Sequence, residues 1–165
     1  MNTSQNNNCN FRVYVDSSFG NGNQRRSIYG YVIFINGNVV HWKSKVSPMV
    51  SLSSTEAEFV AMAMTLKDIK WISTIISELF LNISSTIVFC DNQGALRIFK
   101  AESSTARTRH LDIKLQFLKT LAHNENYELR FVQTQDNVAD CFTKGLNRLN
   151  FKKLIGKLME EVLVT

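Results

Sequence analysis

Alternating apolar and polar positions predict three β-strands in the first third of the chain, at residues 11–15, 28–35 and 39–43. The dipeptide Asn36-Gly37 separates the second strand from the third, and this pair is typical of a tight β-hairpin turn. Residues 1–10 are polar and rich in asparagine, so we expect them to form a flexible leader. The sequence therefore predicts that the folded part opens with β-structure containing one hairpin.

The apolar period lengthens to three or four residues after position 50, which indicates helix. Apolar residues recur at that spacing from Phe59 to Leu79, and Ser53 with Glu56 forms a capping box. We therefore predict an amphipathic helix over about residues 54–80, either continuous or broken once. Beyond it the pattern predicts a loop at 82–85, a strand at 86–90 and helices at 92–100 and 108–123. A last strand is predicted at 127–132. Helical structure is predicted to begin near 136 and to resume at 149–163.

This order of elements is typical of a mixed α/β fold. A strand, a long helix and another strand usually form a crossover between parallel neighbours in one sheet. The chain has 165 residues, of which 44% are apolar, and this is enough for one domain with its own hydrophobic core. We predict that the domain covers residues 11–146 and that residues 147–165 form a C-terminal helical extension.

Composition and charge restrict the function less than the pattern restricts the fold. The chain has 19 lysines and arginines against 14 aspartates and glutamates, and the net charge of +5 permits a polyanionic partner without establishing one. No apolar run is long enough for a transmembrane helix, so we expect no membrane partner. The 3 cysteines are widely spaced and fit neither a disulfide framework nor a zinc site, which favours an intracellular, cytoplasmic setting.

Two of the predicted strands end in an aspartate, Asp16 after residues 11–15 and Asp91 after residues 86–90. If these strands are parallel neighbours, both carboxylates emerge at the same edge of the sheet, where open α/β sheets bind ligands. Anions held close together repel each other, and a bound divalent cation relieves that repulsion. The alternative is that each aspartate caps the segment after it. The occurrence of two such strands in one small domain favours the metal site.

Two further carboxylates are candidates for the same site. Glu56 and Glu58 lie about 200° apart on the predicted helix, so only one of them can face the sheet. Glu56 fits the capping box, which makes Glu58, beside the apolar stripe, the better candidate. Asp136 resembles a helix N-cap and Asp140 lies one turn further on, so a surface role for Asp140 is as well supported as a role in the site.

Seven short blocks occur in order over about residues 12–146. They are Val-Asp16-Ser-Ser, Arg26-Ser-x-x-Gly-Tyr-Val32, Trp42-Lys-Ser-Lys45, Val50-Ser-Leu-Ser-Ser-Thr-Glu-Ala-Glu-Phe59, Cys90-Asp-Asn-Gln-x-Ala95, Arg107-Thr-Arg-His-Leu-Asp-Ile113 and Val138-Ala-Asp-x-x-Thr-Lys144. Together these blocks closely resemble the ribonuclease H domain of copia-type LTR retrotransposon polyproteins, and the run Leu-Ser-Ser-Thr-Glu-Ala-Glu is the most specific part of the match.

The resemblance implies a ribonuclease H-like fold, with a five-stranded mixed sheet flanked by helices, that cleaves the RNA strand of RNA–DNA hybrids. It also implies that Asp16, Glu58, Asp91 and Asp140 hold two Mg²⁺ ions, with Mn²⁺ able to substitute. In the family's mechanism Asp16 would bridge both ions, and Asp140 would help to hold the ion that activates the attacking water. Glu58 and Asp91 would hold the ion that stabilises the leaving 3′ oxygen. Hard cations prefer oxygen ligands, so Cys90 and Cys141 are expected to pack beside these ligands.

The same resemblance indicates which residues would contact the substrate. Asn92 and Gln93 match a polar stretch that contacts the hybrid in this family, although Asn92 fits a helix cap equally well. Arg107, Arg109 and His110 are candidates for phosphate binding, with a solvated helix start as the alternative. A further set of basic residues is expected to form a solvated helix face: Lys144, Arg148, Lys152, Lys153 and Lys157.

Two departures from the family pattern affect the expected site. Many ribonucleases H carry a histidine in the loop before the last carboxylate, and residues 132–139 contain none, so either another group such as His110 substitutes or turnover needs none. Many relatives also carry an acidic residue where this chain has Ser18. We place Ser18 outside the four core ligands, so its change removes negative charge from the mouth of the site without removing a ligand.

The resemblance further implies a reverse transcriptase domain upstream in a polyprotein and a place of action in the virus-like particle. The alternative function is a catalytically weak or inactive nucleic-acid-binding module derived from a retroelement. All four expected ligand positions carry a carboxylate, which favours the enzyme. An integrase-like nuclease would share the fold but not these blocks, and an aspartyl phosphatase would usually need a second aspartate at position 18.

Overall fold

A computed structural model describes residues 8–79, 81–101 and 112–163 of the chain. Within these ranges five strands form one sheet: β1 (Asn8–Ser18), β2 (Ile28–Ile35), β3 (Asn38–Val46), β4 (Asn82–Cys90) and β5 (Tyr127–Phe131). Their order across the sheet is β3-β2-β1-β4-β5. β2 is antiparallel to both β1 and β3, whereas β4 is parallel to both β1 and β5. The predicted five-stranded mixed sheet is therefore confirmed.

Helices cover both faces of this sheet. The described residues form α1 (Ser54–Glu78), α2 (Gln93–Lys100), α3 (Asp112–Asn124) and α4 (Arg148–Leu163), with 3₁₀ turns at Asn23–Arg25, Thr134–Asp136 and Val138–Phe142. Helix α1 begins as predicted, because the Ser53 hydroxyl accepts a hydrogen bond from the Glu56 backbone N–H at 3.1 Å. None of the described helices has the length and apolar character needed to cross a bilayer.

The larger core lies between the sheet and α1. Alternate residues of β1, including Phe11 and Val13, are fully buried there against Phe59, Met62 and Leu66 of α1. Burying one such side chain stabilises the fold by about 1.5–3 kcal/mol relative to leaving it exposed. This packing fixes the position of α1 along β1.

A smaller core lies on the opposite face of the sheet. Val32 and Phe34 of β2 pack there with Val138 of the 3₁₀ turn and Leu154 of α4. Leu154 is 3% exposed, so the predicted C-terminal helical extension packs as an integral part of this core. The turn that carries Asp140 is thereby held against the sheet.

The structure differs from the sequence prediction at the start of β1 and of β4. β1 begins at Asn8, three residues inside the predicted leader, and β4 begins at Asn82, where a loop was predicted. The two unpredicted segments pair with each other, and the Ser85 hydroxyl donates to Asn10 Oδ1 at 2.9 Å. Cys9 is buried in the core and Ile83 packs against it, so the apolar side chains of both strands begin within these segments, although asparagine and serine surround them.

Two helical predictions also change. The predicted helix at 108–123 is observed from Asp112 to Asn124, and its predicted first residues lie outside the described ranges. The helical structure expected near 136 is instead two short 3₁₀ turns, Thr134–Asp136 and Val138–Phe142. The second of these turns lies against β1 and β2 and brings Asp140 to the sheet.

Gly30 of β2 allows the turn that contains Asp140 to lie directly on the strand. A Cβ at this position would stand 2.7 Å from Phe142 Cβ and 2.9 Å from Thr143 Cγ2. Both distances are shorter than normal van der Waals contact, so a larger residue here would displace the turn.

We predict that Gly30→Ala lowers the free energy of unfolding by about 1–3 kcal/mol, because the added methyl group overpacks this contact. The free energy is measured by urea unfolding. Gly156→Ala in α4 is the matched control, since a Cβ there meets no atom within 4 Å and alanine favours helix by up to about 1 kcal/mol. A Gly30→Ala protein as stable as the parent would contradict the role given to Gly30.

Candidate active site

Parallel pairing of β1 with β4 brings Asp16 and Asp91 to one edge of the sheet. The register pairs Val15 with Cys90, so each aspartate is the next residue after a matched pair. Asp16 is 1% exposed and Asp91 is partly buried. The two carboxylates therefore lie side by side where both strands end.

Helix α1 supplies Glu58 from one face of the sheet. Glu58 is buried, and its Oε1 accepts a hydrogen bond from the Ser17 backbone N–H at 3.0 Å. Its Oε2 accepts from the thiol of Cys90, with 3.9 Å between oxygen and sulfur. Glu56 instead accepts from the Leu52 N–H at the start of the helix. Of the two glutamates, Glu58 is thus the one at the sheet edge and Glu56 the one at the cap.

The 3₁₀ turn Val138–Phe142 supplies Asp140 from the other face. Asp140 is 6% exposed, so it is not a surface residue. Asn137 begins the turn: its Oδ1 accepts from the N–H two residues later at 3.2 Å, and its Nδ2 donates to the carbonyl oxygen of Val15 at 2.9 Å. The second bond ties the turn to β1 directly before Asp16, which explains why Asp140 reaches the same edge.

The prediction that Asp136 is an N-cap is wrong, because Asn137 takes this role. Asp136 pairs with Lys157 of α4, and Lys153 Nζ lies 3.8 Å from its Oδ1. Lys153 and Lys157 therefore serve in part to hold α4 beside the turn, in addition to facing solvent. The sequence does not distinguish the two residues as caps, because asparagine and aspartate are both good N-cap residues.

Together the four carboxylates form one acidic cluster. Carboxylate oxygens of Asp16, Asp91 and Asp140 lie within 4.8 Å of one another, and oxygens of Glu58 and Asp91 form a second such group with Cys90 Sγ. Asp91 belongs to both groups and links them. Closely spaced carboxylate oxygens are the ligands that hard divalent cations such as Mg²⁺ prefer, so the cluster fits a metal site.

Burial and mutual repulsion raise the pKa of three of these carboxylates. Desolvation, then the charges of Asp16 and Asp91, raises the pKa of Glu58 to about 10. Desolvation and the charge of Asp16 raise the pKa of Asp140 to about 7, although Lys144 acts in the opposite direction. Desolvation and Asp16 also raise the pKa of Asp91. A bound cation would lower all three pKa values, so the cluster is electrostatically prepared for one.

Cys90 packs at the edge of this cluster as a protonated thiol. Desolvation and the charge of Glu58 raise its pKa well above the ordinary range for cysteine. Its sulfur accepts a hydrogen bond from the Asn92 backbone N–H at 3.4 Å. A metal ligand must be a thiolate, so this environment favours the predicted packing role.

Sequence reasoning missed two residues of the cluster, Thr143 and Lys144. The Thr143 hydroxyl donates to Asp16 Oδ2. Lys144 Nζ lies 2.9 Å from Asp140 Oδ1 and 3.6 Å from Asp16 Oδ2. The prediction of a solvated helix face is wrong for Lys144, because α4 begins only at Arg148. The available signal was the four-residue spacing from Asp140 to Lys144, which places both on one side of a helical turn.

The predicted substrate-contacting residues divide into two groups. Asn92 caps α2, since its Oδ1 accepts from the Ala95 N–H at 2.9 Å, and Asp91 therefore does not serve as that cap. Gln93 is exposed at the first turn of α2, directly after the cluster. Three further candidates lie outside the described residues: Arg107, Arg109 and His110. A role in substrate binding stays a prediction for all five.

We predict that Asp140 destabilises the metal-free protein as the pH rises from 5 to 8. Its pKa is about 7 in the folded state against an ordinary 3.8, so the folded state binds more protons than the unfolded state in this window. The free energy of unfolding therefore falls as pH rises, and the loss is complete once the pH passes the folded pKa.

The measurement is the difference in Tm between the parent and Asp140→Asn across this pH range, in EDTA. Exposed carboxylates such as Asp136 and Glu128, whose pKa values are lowered by basic partners, contribute equally to both proteins and cancel in the difference. Saturating Mg²⁺ should reduce the decrease in Tm that the parent shows as the pH rises. A pH-independent difference in Tm would contradict the electrostatic account of Asp140.

Sequence comparison relates the chain to retrotransposon polyproteins. It is 33% identical over 147 residues to the retrovirus-related Pol polyprotein from transposon TNT 1-94 of Nicotiana tabacum, covering 87% of this chain and 11% of the relative. It is 28% identical over 154 residues to the retrovirus-related Pol polyprotein from transposon RE2 of Arabidopsis thaliana, covering 92% of this chain and 11% of the relative. The chain thus spans about a tenth of the length of these relatives. No protein-family model matches it.

Structural comparison finds ribonucleases H. LC11-RNase H1, isolated from compost, matches 91% of this chain and 98% of its own with a TM-score of 0.62 and 18% identity. Its complex with an RNA/DNA hybrid matches 81% of this chain and 93% of its own, with a TM-score of 0.63 and 18% identity. The N-terminal ribonuclease H domain of rv2228c from Mycobacterium tuberculosis matches 93% of this chain and 99% of its own, with a TM-score of 0.56 and 13% identity. The chain therefore has the ribonuclease H fold and is a relative of copia-type retrotransposon Pol polyproteins, as its motifs predict.

Proposed function

We propose that this chain is an endoribonuclease that cleaves the RNA strand of RNA–DNA hybrids during retrotransposon reverse transcription. The observation that carries the proposal is the acidic cluster of Asp16, Glu58, Asp91 and Asp140 at the end of two parallel strands. The relationship to Pol polyproteins supports it, as does a fold shared with a ribonuclease H solved on an RNA/DNA hybrid.

Two Mg²⁺ ions, or Mn²⁺ in their place, are the cofactors that this cluster would hold. When bound, such a pair stabilises the negative charge that develops on the attacking and leaving oxygens of a phosphodiester. Asp16, Asp91 and Asp140 form the group suited to one ion, and Glu58 with Asp91 contributes oxygens for the other. The family resemblance assigns the bridging position to Asp16, whereas Asp91 is the residue common to both groups here.

The protein's own contribution is to fix these oxygens before substrate arrives. The Ser17 N–H holds Glu58, and the Thr143 hydroxyl holds Asp16. The amide of Asn137 holds the turn of Asp140 against β1. Ligands held in this way need little reorganisation when charge develops during the reaction, which is the main source of electrostatic catalysis.

The proposed substrate and partners follow from the same relationship. The polynucleotide would lie across the sheet edge, with Gln93 beside the cluster and Asn92, Arg107, Arg109 and His110 as further predicted contacts. We propose a reverse transcriptase domain of the same polyprotein as the functional partner, and the cytoplasmic virus-like particle as the place of action. All three cysteines are free thiols, which agrees with an intracellular, reducing setting.

We predict that Asp16→Asn and Asp91→Asn each lower the rate of hybrid cleavage by a factor on the order of 10² or more while the fold persists. Asparagine keeps the shape of aspartate but removes one charged oxygen ligand. The measurement is cleavage of a labelled RNA–DNA hybrid, with circular dichroism as the check on folding. Asp136→Asn is the control, because Asp136 pairs with α4 outside the cluster. If either cluster variant cuts as fast as the parent, the cluster is not the reaction centre.

We also predict that the parent cuts only the RNA strand of a hybrid, and only with Mg²⁺ or Mn²⁺ present. Duplex DNA and single-stranded RNA of the same sequence are the comparison substrates, because only the hybrid combines one strand with 2′-hydroxyls and one without. EDTA should abolish cleavage. Binding of the hybrid without cleavage of any substrate by either metal would favour the alternative, a nucleic-acid-binding module.

A further inference from the structure

Lys144 lies at the corner of the acidic cluster where Asp16 and Asp140 meet. Its ammonium contacts Asp140 Oδ1 at 2.9 Å and lies 3.6 Å from Asp16 Oδ2. The lysine side chain is 34% exposed, whereas the side chains of Asp16 and Asp140 are 2% and 9% exposed. The lysine thus covers both carboxylates from the solvent side.

The backbone around Lys144 fixes this position. The N–H groups of Thr143 and Lys144 both donate to the carbonyl oxygen of Asp140, at 3.3 and 3.4 Å, which continues the turn through the lysine. The same turn lies on Gly30 and is anchored to Asp16 by the Thr143 hydroxyl. The ammonium is therefore delivered to the cluster by a packed segment rather than by a freely moving loop.

We propose that Lys144 is the internal counter-ion of the metal-free site and competes with a divalent cation for the corner formed by Asp16 and Asp140. The proposal rests on the proposed function, because it takes the cluster to be a metal site. Asp16 and Asp140 are buried carboxylates, and an ammonium 2.9 Å from one and 3.6 Å from the other offsets part of their desolvation and repulsion. A cation that binds the same oxygens must displace the ammonium or bind against its positive charge.

Lys144 consequently has opposite effects on the two states of the site. In the metal-free protein it stabilises the fold by compensating two carboxylates that would otherwise face each other unshielded. In the metal-bound protein it is a positive charge beside another positive charge, so it lowers the affinity for the ion. Lys144 is in this sense a positioning residue that sets the metal concentration at which the site fills.

The test is a calorimetric titration of Mn²⁺ into the protein without nucleic acid. Lys144→Met, which keeps an unbranched side chain one atom shorter and removes its charge, should bind Mn²⁺ about tenfold more tightly, a gain of about 1.4 kcal/mol. Lys144→Arg keeps the charge and should bind within about twofold of the parent. Lys153→Met is the matched control, since Lys153 faces Asp136 outside the cluster, and it should also bind like the parent. Unchanged or weaker binding by Lys144→Met would overturn the proposal.

A second measurement applies to the parent and does not depend on the folding of Lys144→Met. Titration with Mg²⁺ should shift the side-chain NMR signals of Lys144, assigned by their loss in Lys144→Arg, and leave those of Lys153 in place. A Lys144 signal that does not move while Mg²⁺ saturates the site would overturn the proposal.

Hybrid cleavage by the same samples separates the two proposals. Tighter Mn²⁺ binding by Lys144→Met without cleavage by the parent would support the role of Lys144 and contradict the nuclease. Cleavage by the parent with unchanged Mn²⁺ affinity in Lys144→Met would support the nuclease and overturn the role of Lys144. Absence of metal binding in every protein would overturn both.

Discussion

The parallel pairing of β1 with β4 is the constraint on which the rest of the structure depends. Its register matches Val15 with Cys90, and only this register makes Asp16 and Asp91 neighbours. A shift by one residue would send one aspartate to the opposite face of the sheet, because side chains alternate along a strand. The buried residues Phe11 and Val13 oppose such a shift, since it would expose them. The core therefore fixes the geometry of the site.

The site encircles the end of the sheet instead of lying on one face. Glu58 approaches from the helical layer on one side, Asp140 from the turn on the other, and the two strand-end aspartates lie between them. Glu58 and Asp16 are each held by a neutral hydrogen-bond donor and Asp140 by a lysine. The cluster as a whole nevertheless remains unfavourable, as the raised pKa values of Glu58 and Asp140 indicate. Such a concentration of buried carboxylates is a cost to stability that protonation, a basic partner or a bound cation can reduce.

Local sequence signals predict most of the helices and strands. The features that these signals do not predict depend on contacts between segments that are distant in the sequence. The dipeptide Asn36-Gly37 and the capping box at Ser53 carry their information within a few residues, and the hairpin and α1 follow as expected. Residues 82–85 are mostly polar, and they extend β4 by pairing with the start of β1. Asn137 and its neighbour Asp136 are equivalent as caps in sequence, and the carbonyl oxygen of Val15, more than a hundred residues earlier, distinguishes them. The position of Lys144 likewise depends on packing against Gly30, which no local pattern reveals.

The turn that follows β5 brings the last carboxylate and the lysine to the site as one unit. Asp140 and Lys144 carry opposite charges, so this pair adds no net charge to an edge that already holds three acidic groups. During synthesis all five strands are made before this segment, and their acidic edge gains the fourth carboxylate together with the lysine that pairs with it. Loss of the lysine alone would leave that carboxylate without its basic partner, so the two residues act as one electrostatic unit.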